Sequence, residues 1–332
     1  MTRYTSATDA DRRQMLAEIG VSSVDELFAD LPAGVRLDRA LELPDGMTEV
    51  AVYERLAELA SRNTSAEDEI SFLGAGMYDH YVPAIVDSIT QRSEFLTPYT
   101  PYQPEISQGT LQAMFEFQTS ISELTGLPVA SAGLYEGPSS VAAAAYLARG
   151  ATGRSKFLVS RGVHPHSRET LQTYSAGYGT SVEDVPLVAG ATDLAALEAA
   201  IDDDTAAVFL QQPNFLGSVE DLAALAPVAK RTGALLVVAV DALTLGILRP
   251  PGDFGADVAV GEGQQLGNRL DYGGPSVGFF AAREEHIRRM PGRIAASPPT
   301  WTAGAASCSR SRLVSSTSGA RRRRRTSARA SS

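Results

Sequence analysis

Apolar residues recur along this chain in two different periods. Up to Gly126 they fall three and four residues apart, the spacing of one face of a helix; beyond it they gather in short continuous runs. The stretch DADRRQMLAEIG predicts a helix that stops at Gly20, and SVDELFADLP opens with the Ser-x-x-Glu spacing of a capping box. TEVAVYERLAELASRN places Val52, Leu56, Leu59 and Ala60 on one face of a further helix. Residues 71 to 108 are irregular and rich in Gly, Pro and Tyr. GTLQAMFEFQTSISELTG then predicts an amphipathic helix with Leu111, Met114, Phe115, Ile121 and Leu124 on its buried side and Gly126 as its stop.

The apolar runs predict strands at 156–160, 184–188, 206–211, 234–240, 257–260 and 276–281, with helices such as DLAALEAAI and DLAALAPVAKRTG between them. Strands that are apolar almost throughout belong to a mostly parallel sheet covered by helices on both faces, so the fold class is α/β. Three regions are expected: a helical N-terminal segment at 1–70, an α/β domain at 71–295, and a compositionally distinct tail at 296–332.

A chain of 332 residues with 44 % hydrophobic content has ample material for a core. Its apolar runs are too short to span a bilayer and Met1 is not followed by a signal-peptide pattern, so a cytoplasmic location is expected, with no membrane partner. Cys308 is the sole cysteine and lies in the tail, which leaves the body without disulfides, a thiolate metal site or a cysteine nucleophile. Among His80, His164, His166 and His286 no pair has the spacing of a helical zinc site, and no metal is expected. His164 and His166 read as ordinary surface imidazoles. Residues 1–295 hold all 39 acidic residues and 21 of the 29 Lys plus Arg, a net charge of −18 that argues against nucleic-acid binding. Only Lys156 and Lys230 are lysines; with so many carboxylates that scarcity suggests adaptation to high salt, and a GC-rich codon bias explains part of it.

The candidate chemistry lies where strands end. Strand 234–240 runs into Asp241, the segment GADVAVGEGQQLG ends a strand in a loop of Gly, Glu and Gln, and EGPSSVAAAAYLARG opens a helix at Gly137 and Ser139. This is the layout of the fold type I pyridoxal phosphate enzymes: a helix N-terminus for the phosphate, an aspartate for the pyridinium nitrogen, and a later lysine for the cofactor aldehyde. Both lysines precede Asp241, so neither can take the last role, and glutamines neither titrate nor form Schiff bases. Taken singly, Asp241 reads better as a turn cap and EGPSSV as an ordinary Pro-initiated helix start. A Rossmann nucleotide site is not supported, because no GxGxxG follows a strand.

The stretches FLGAGMYDHYVPAIV, LTPYTPYQPEISQGTLQAMFEFQ, EGPSSVAAAAYLA and GADVAVGEGQQLGNRLDYGGPSVGFFA together resemble the first subunit of the glycine cleavage system P-protein family, from near the N-terminus to about Ile294. The resemblance implies the large domain of the pyridoxal phosphate-dependent transferase fold type I, with a mostly parallel seven-stranded sheet. It implies a subunit of glycine dehydrogenase (decarboxylating), which decarboxylates glycine and passes the aminomethyl group to the lipoyl arm of the H-protein. A homologous second subunit would hold pyridoxal phosphate on its lysine, in a heterotetramer of two of each, while Gln265 stands here in the lysine's place. Gly137, Ser139, Asp241 and Gln265 then form a vestigial cofactor site. Tyr99, Tyr102, Gln103 and Glu105, with Tyr78 and His80 nearby, would face the partner's cofactor; packing in the subunit contact alone is the even alternative, and with it a non-catalytic scaffold that binds the second subunit or the H-protein.

The tail departs from that family, whose members continue into a small C-terminal domain. Residues 296–332 are rich in Ser, Ala and Arg, with no acid. Codons for Val314 to Ala328 can be chosen so that a reading two bases later gives EQHIRREKATSNIC, the sort of sequence this family has after its GFF strand. The expectation is a frameshifted tail, broken near Ala295, that replaces the small domain, is disordered and makes no compact contact with the body.

Overall fold

The computed structural model describes residues 6–32, 34–37, 39–65, 68–96, 99–101, 104–296 and 312–315, the backbone alone at 104–105 and 312–315. Two compact units divide the chain, residues 1–64 and 65–332.

In the first unit, α1 (Asp9–Ile19) and α2 (Glu49–Ala60) flank a 3-10 turn at Asp25–Phe28. Thr8 and Asp11 close a capping box on α1, Gly20 ends it in the left-handed region at φ 88°, and Thr48 caps α2. Ser23 Oγ accepts the Glu26 N–H at 3.3 Å, as the Ser-x-x-Glu spacing predicts, but the Glu26 carboxylate turns to Ser22. The predicted apolar stripe on α2 is open, with Leu56 60 % exposed, and neither helix buries a residue. Two short helices carry too little apolar surface to enclose a core of their own.

The second unit begins with α3 (Ala84–Thr90) and α4 (Ser93–Leu96), followed by α5 (Pro104–Thr125). α5 starts five residues earlier than the apolar period predicts and is broken at Ser107, whose φ and ψ of −124° and 18° are not helical. Leu111 and Ile121 are buried as expected, and Met114, Phe115 and Leu124 are half-buried. Then come β1 (Val129–Ala130), α6 (Gly137–Thr152), β2 (Lys156–Ser160), α7 (Pro165–Tyr178), β3 (Ser181–Val185), the hairpin β4 (Leu187–Val188) and β5 (Ala191–Thr192), and α8 (Leu194–Ala200). They are followed by β6 (Thr205–Gln212), α9 (Leu222–Ala229), β7 (Leu235–Val240), β8 (Val258–Glu262), β9 (Gly278–Ala282), β10 (Arg293–Ala296) and β11 (Arg312–Ser315).

Seven strands form one sheet in the order β1-β9-β8-β7-β6-β2-β3. From β3 to β8 every pairing is parallel, and β9 and β1 close one edge antiparallel. Side chains alternate across it. Leu158, Val208, Leu210, Val238, Ala259 and Phe279 pack with Ile121, Leu197, Leu222 and Leu225 on one face. Phe157, Val159, Phe209, Val237, Val258, Val260 and Phe280 pack with Val141, Ala144, Leu147, Ala148 and Leu171 on the other. Phe157 and Phe209 meet edge to face at 5.9 Å, and burial of each such ring contributes about 1.5–3 kcal/mol. The helix cover on both faces explains why these strands carry no polar alternation.

Two corrections concern strands. The third strand in sequence order lies at 181–185 rather than 184–188, and β1 has no forerunner in the apolar pattern. The tail is expected to make no compact contact with the body; among its described residues, the backbone of Arg312–Ser315 pairs antiparallel with Arg293–Ala296. The unpaired edge of β10 offers N–H and C=O groups that a second strand satisfies. The other residues of 297–332, Cys308 among them, lie outside the described residues.

Candidate functional site

The C-terminal ends of the parallel strands gather the chemistry-bearing side chains. Asp241 follows β7, Glu262 closes β8, Gln264 and Gln265 lie in the 3-10 turn just after it, and α6 begins with Gly137. The approach of α6 to the sheet needs small residues: a Cβ at Gly278 would meet Ser140 Oγ at 2.2 Å and Glu136 O at 2.3 Å, and one at Gly137 would meet Glu262 at 3.1 Å.

Asp241 Oδ1 accepts two hydrogen bonds, from Gln265 Nε2 at 2.8 Å and from the Leu243 N–H at 2.9 Å. The aspartate thus caps the following turn and also faces the glutamine loop. Gln264 is buried, with Nε2 bonded to Asn268 O and no partner for Oε1 among the described residues. Glu262 spans the site. Its Oε2 accepts the Gly137 N–H at 2.8 Å, while Oε1 accepts from the Gln264 and Val277 N–H groups, each at 3.0 Å. Ser139 Oγ donates to Glu136 O at 3.0 Å and accepts from the Glu136 N–H at 3.2 Å, so it turns back on its own helix start.

Neither lysine is at this edge. Lys156 opens β2 at the opposite end of the strands, bonded to Asp202 at 2.8 Å and Glu183 at 3.3 Å. Burial lowers its pKa, but those two carboxylates outweigh burial and hold the ammonium above its ordinary value. Lys230 donates to Asp257 Oδ1 at 2.8 Å, just before β8 begins. The three groups a pyridoxal phosphate would need do not fit it here: a carboxylate stands at the helix start, the aspartate is bonded to an amide, and no amine faces it.

Among the described residues, His164 and Arg269 tie the segment from residue 71 onward to this edge. His164 Nε2 donates to Ala75 O at 2.7 Å, and its Nδ1 accepts the His166 N–H at 3.1 Å. Its ring also meets Phe215 at 4.9 Å. Far from an ordinary surface imidazole, His164 fixes the turn at Gly74–Met77. Arg269, in the loop after the glutamines, pairs with Asp87 of α3 at 2.7 Å. Between these anchors Tyr78 is 47 % exposed and His80 half-buried, while Tyr99 beyond them is 99 % exposed. Tyr102 and Gln103 lie outside the described residues, as does the side chain of Glu105 in the first turn of α5. Glu262 and His164 were not anticipated in the sequence. The signal for Glu262 was its place, two residues before the first glutamine and at the end of a strand.

One further group deserves exclusion on electrostatic grounds. Asp257, Glu285 and His286 bring ligand atoms within 4.8 Å of one another. Asp257 is already neutralised by Lys230 and by Arg283 at 3.3 Å, and two cations at a shared oxygen oppose a third.

The strand order, the helix start and the aspartate after β7 define a large domain of the pyridoxal phosphate-dependent fold type I. The family model for the glycine cleavage system P-protein matches residues 2–299, and the chain belongs to that family. It is 52 % identical over 292 residues to a probable glycine dehydrogenase (decarboxylating) subunit 1 of Carboxydothermus hydrogenoformans, covering 88 % of this chain and 66 % of that one. A crystal structure of glycine decarboxylase (P-protein) of the glycine cleavage system, in inhibitor-bound form, superposes with a TM-score of 0.78 at 44 % identity, over 90 % of this chain and 66 % of the other. A Burkholderia pseudomallei sphingosine-1-phosphate lyase shares the fold at 14 % identity and TM-score 0.54, over 83 % and 66 % of the two chains. The chain spans 65 to 66 % of the length of the first curated relatives it matches. No helix among the described residues is long and apolar enough to cross a membrane.

Proposed function

We propose that this chain is the non-catalytic subunit of a two-subunit glycine dehydrogenase (decarboxylating), inactive alone and required to complete the site of a homologous second subunit. The observation that carries the reading is the Gln265–Asp241 hydrogen bond: the aspartate end of a cofactor site is retained while its reactive amine is an amide. In the complex, pyridoxal phosphate on the second subunit supplies the electron sink for decarboxylation of glycine, and the lipoyl arm of the H-protein accepts the aminomethyl group. This chain contributes surface. The turn at Gly74–Met77 and α3, pinned by His164 and Arg269, present Tyr78, His80 and Tyr99 toward the partner's site, in a cytoplasmic heterotetramer of two of each subunit.

The exposure of Tyr99, with that of Phe72 at 93 % and Tyr81 at 88 %, also suits a scaffold that binds the second subunit or the H-protein without shaping the reaction. Spectroscopy tests the first reading. Pyridoxal phosphate added to this chain alone should give no borohydride-reducible absorbance, and the same addition to the two subunits together should give one. A reducible band on this chain alone would sink the proposal.

A further inference from the structure

We infer that the Glu262 carboxylate is a built-in anion, seated where a phosphate would meet the α6 N-terminus, so that this edge has lost its phosphate subsite as well as its lysine. The start of a 16-residue helix carries partial positive charge and unpaired N–H groups, which ordinarily attract an anion from solution. Here the first of those N–H groups, at Gly137, is taken by Glu262 Oε2 at 2.8 Å, and Pro138 has none to offer. The hydroxyls of Ser139 and Ser140 both donate to Glu136 O, at 3.0 and 2.8 Å, and so turn away from any external ligand. Space is equally committed, since the Cβ position of Gly137 lies 3.1 Å from Glu262 Cβ.

The other oxygen of the same carboxylate accepts from Gln264 and Val277, so one side chain joins the helix start, the glutamine turn and the lead-in to β9. A bound phosphate would do the same work of satisfying N–H groups and opposing the helix dipole. Supplied by the protein, the anion is permanent and the edge holds its shape without a cofactor. Restoring an amine by Gln265→Lys is therefore insufficient to restore cofactor binding, because Glu262 repels the phosphate from its seat. This inference is independent of whether the chain pairs with a second subunit.

Thermal melting of the full chain in sodium phosphate against sodium chloride at matched ionic strength tests it, with inorganic phosphate as the probe. The parent chain should show no saturable gain from phosphate. Glu262→Ala should melt lower in chloride and recover part of the loss in phosphate, saturably and beyond any change in the parent. Glu262→Gln keeps the volume and one acceptor oxygen but sets its NH2 against a backbone N–H, either that of Gly137 or those of Gln264 and Val277; it should melt lower with no recovery. Gln265→Lys mixed with pyridoxal phosphate should give no borohydride-reducible band. Saturable phosphate binding by the parent, a folded Glu262→Ala without phosphate recovery, or a reducible band in Gln265→Lys would each overturn the inference. Should Glu262→Ala fail to fold, the parent, Glu262→Gln and Gln265→Lys still decide between these outcomes.

Discussion

Replacement of His164 should loosen one turn and leave the sheet intact. His164→Phe keeps a ring against Phe215, 4.9 Å away, but removes the 2.7 Å bond to Ala75 O and the acceptor for the His166 N–H. The His166 N–H sits in the first turn of α7 and can turn to water, so the loss reduces to the Ala75 bond, about 1 kcal/mol. That corresponds to about a fivefold rise in the open population of the Gly74–Met77 turn. His164→Ala also deletes the ring contact, about 0.5–1.5 kcal/mol more. The combined loss of about 2 kcal/mol gives a rise of about 30-fold. Amide hydrogen exchange followed by mass spectrometry reads this directly. Peptides across residues 72–82 should exchange faster in the order Ala over Phe over parent, while those from β6 and β7 stay unchanged. Unchanged exchange at 72–82 in His164→Ala would refute the anchoring role. Equal acceleration in β6 and β7 would show instead that the histidine supports the whole unit.

Three other outcomes follow from the same geometry. Asp257 is 3 % exposed, and its carboxylate binds Lys230, Arg283 and the Leu236 N–H; both cations reach solvent and keep the Gly255 and Ala256 carbonyls, so Asp257→Asn should cost about 1–2 kcal/mol in urea denaturation. Burial holds the His286 imidazole below its ordinary value of 6.5, against the pull of Glu285 and Asp257 and with Arg289 and Arg283 reinforcing burial. The unfolded chain therefore takes up this proton first: the contribution is intact above the unfolded value and lost as pH falls below it, so urea midpoints should drop on acidification and His286→Gln should flatten that part of the profile. Tyr99→Phe, in the chain mixed with its second subunit, should lower glycine decarboxylation while leaving assembly intact; lost assembly with unchanged specific activity of the remaining complex would favour the scaffold.

The sheet was legible because β2, β6, β7 and β8 are buried on both faces, which leaves an apolar run that no helix of that length matches. The third strand was displaced for the opposite reason. Ser181–Val185 is an edge strand with Ser181 and Glu183 exposed, so its polar half looks like the loop before it. β1 has two residues and is set by its antiparallel pairing to Ala281 and Ala282, a long-range fact with no local pattern. At the site, Asp241 and the glutamines were legible as positions after strands. The acceptor role of Glu262 was not, because it joins residues 125 and 15 apart in sequence. His164 was missed likewise: its partner, Ala75 O, is a backbone atom 89 residues away in a turn with no regular structure.

The most direct test of the subunit reading is release of labelled CO2 from carboxyl-labelled glycine, in the presence of lipoylated H-protein, by this chain, by its second subunit and by the two mixed. The expected result is no release by this chain alone and release that rises with this chain until the two subunits are equimolar, then levels off. Release by this chain alone would contradict a site in which Gln265 faces Asp241, and full release by the second subunit alone would contradict any need for the surface that His164 and Arg269 hold in place.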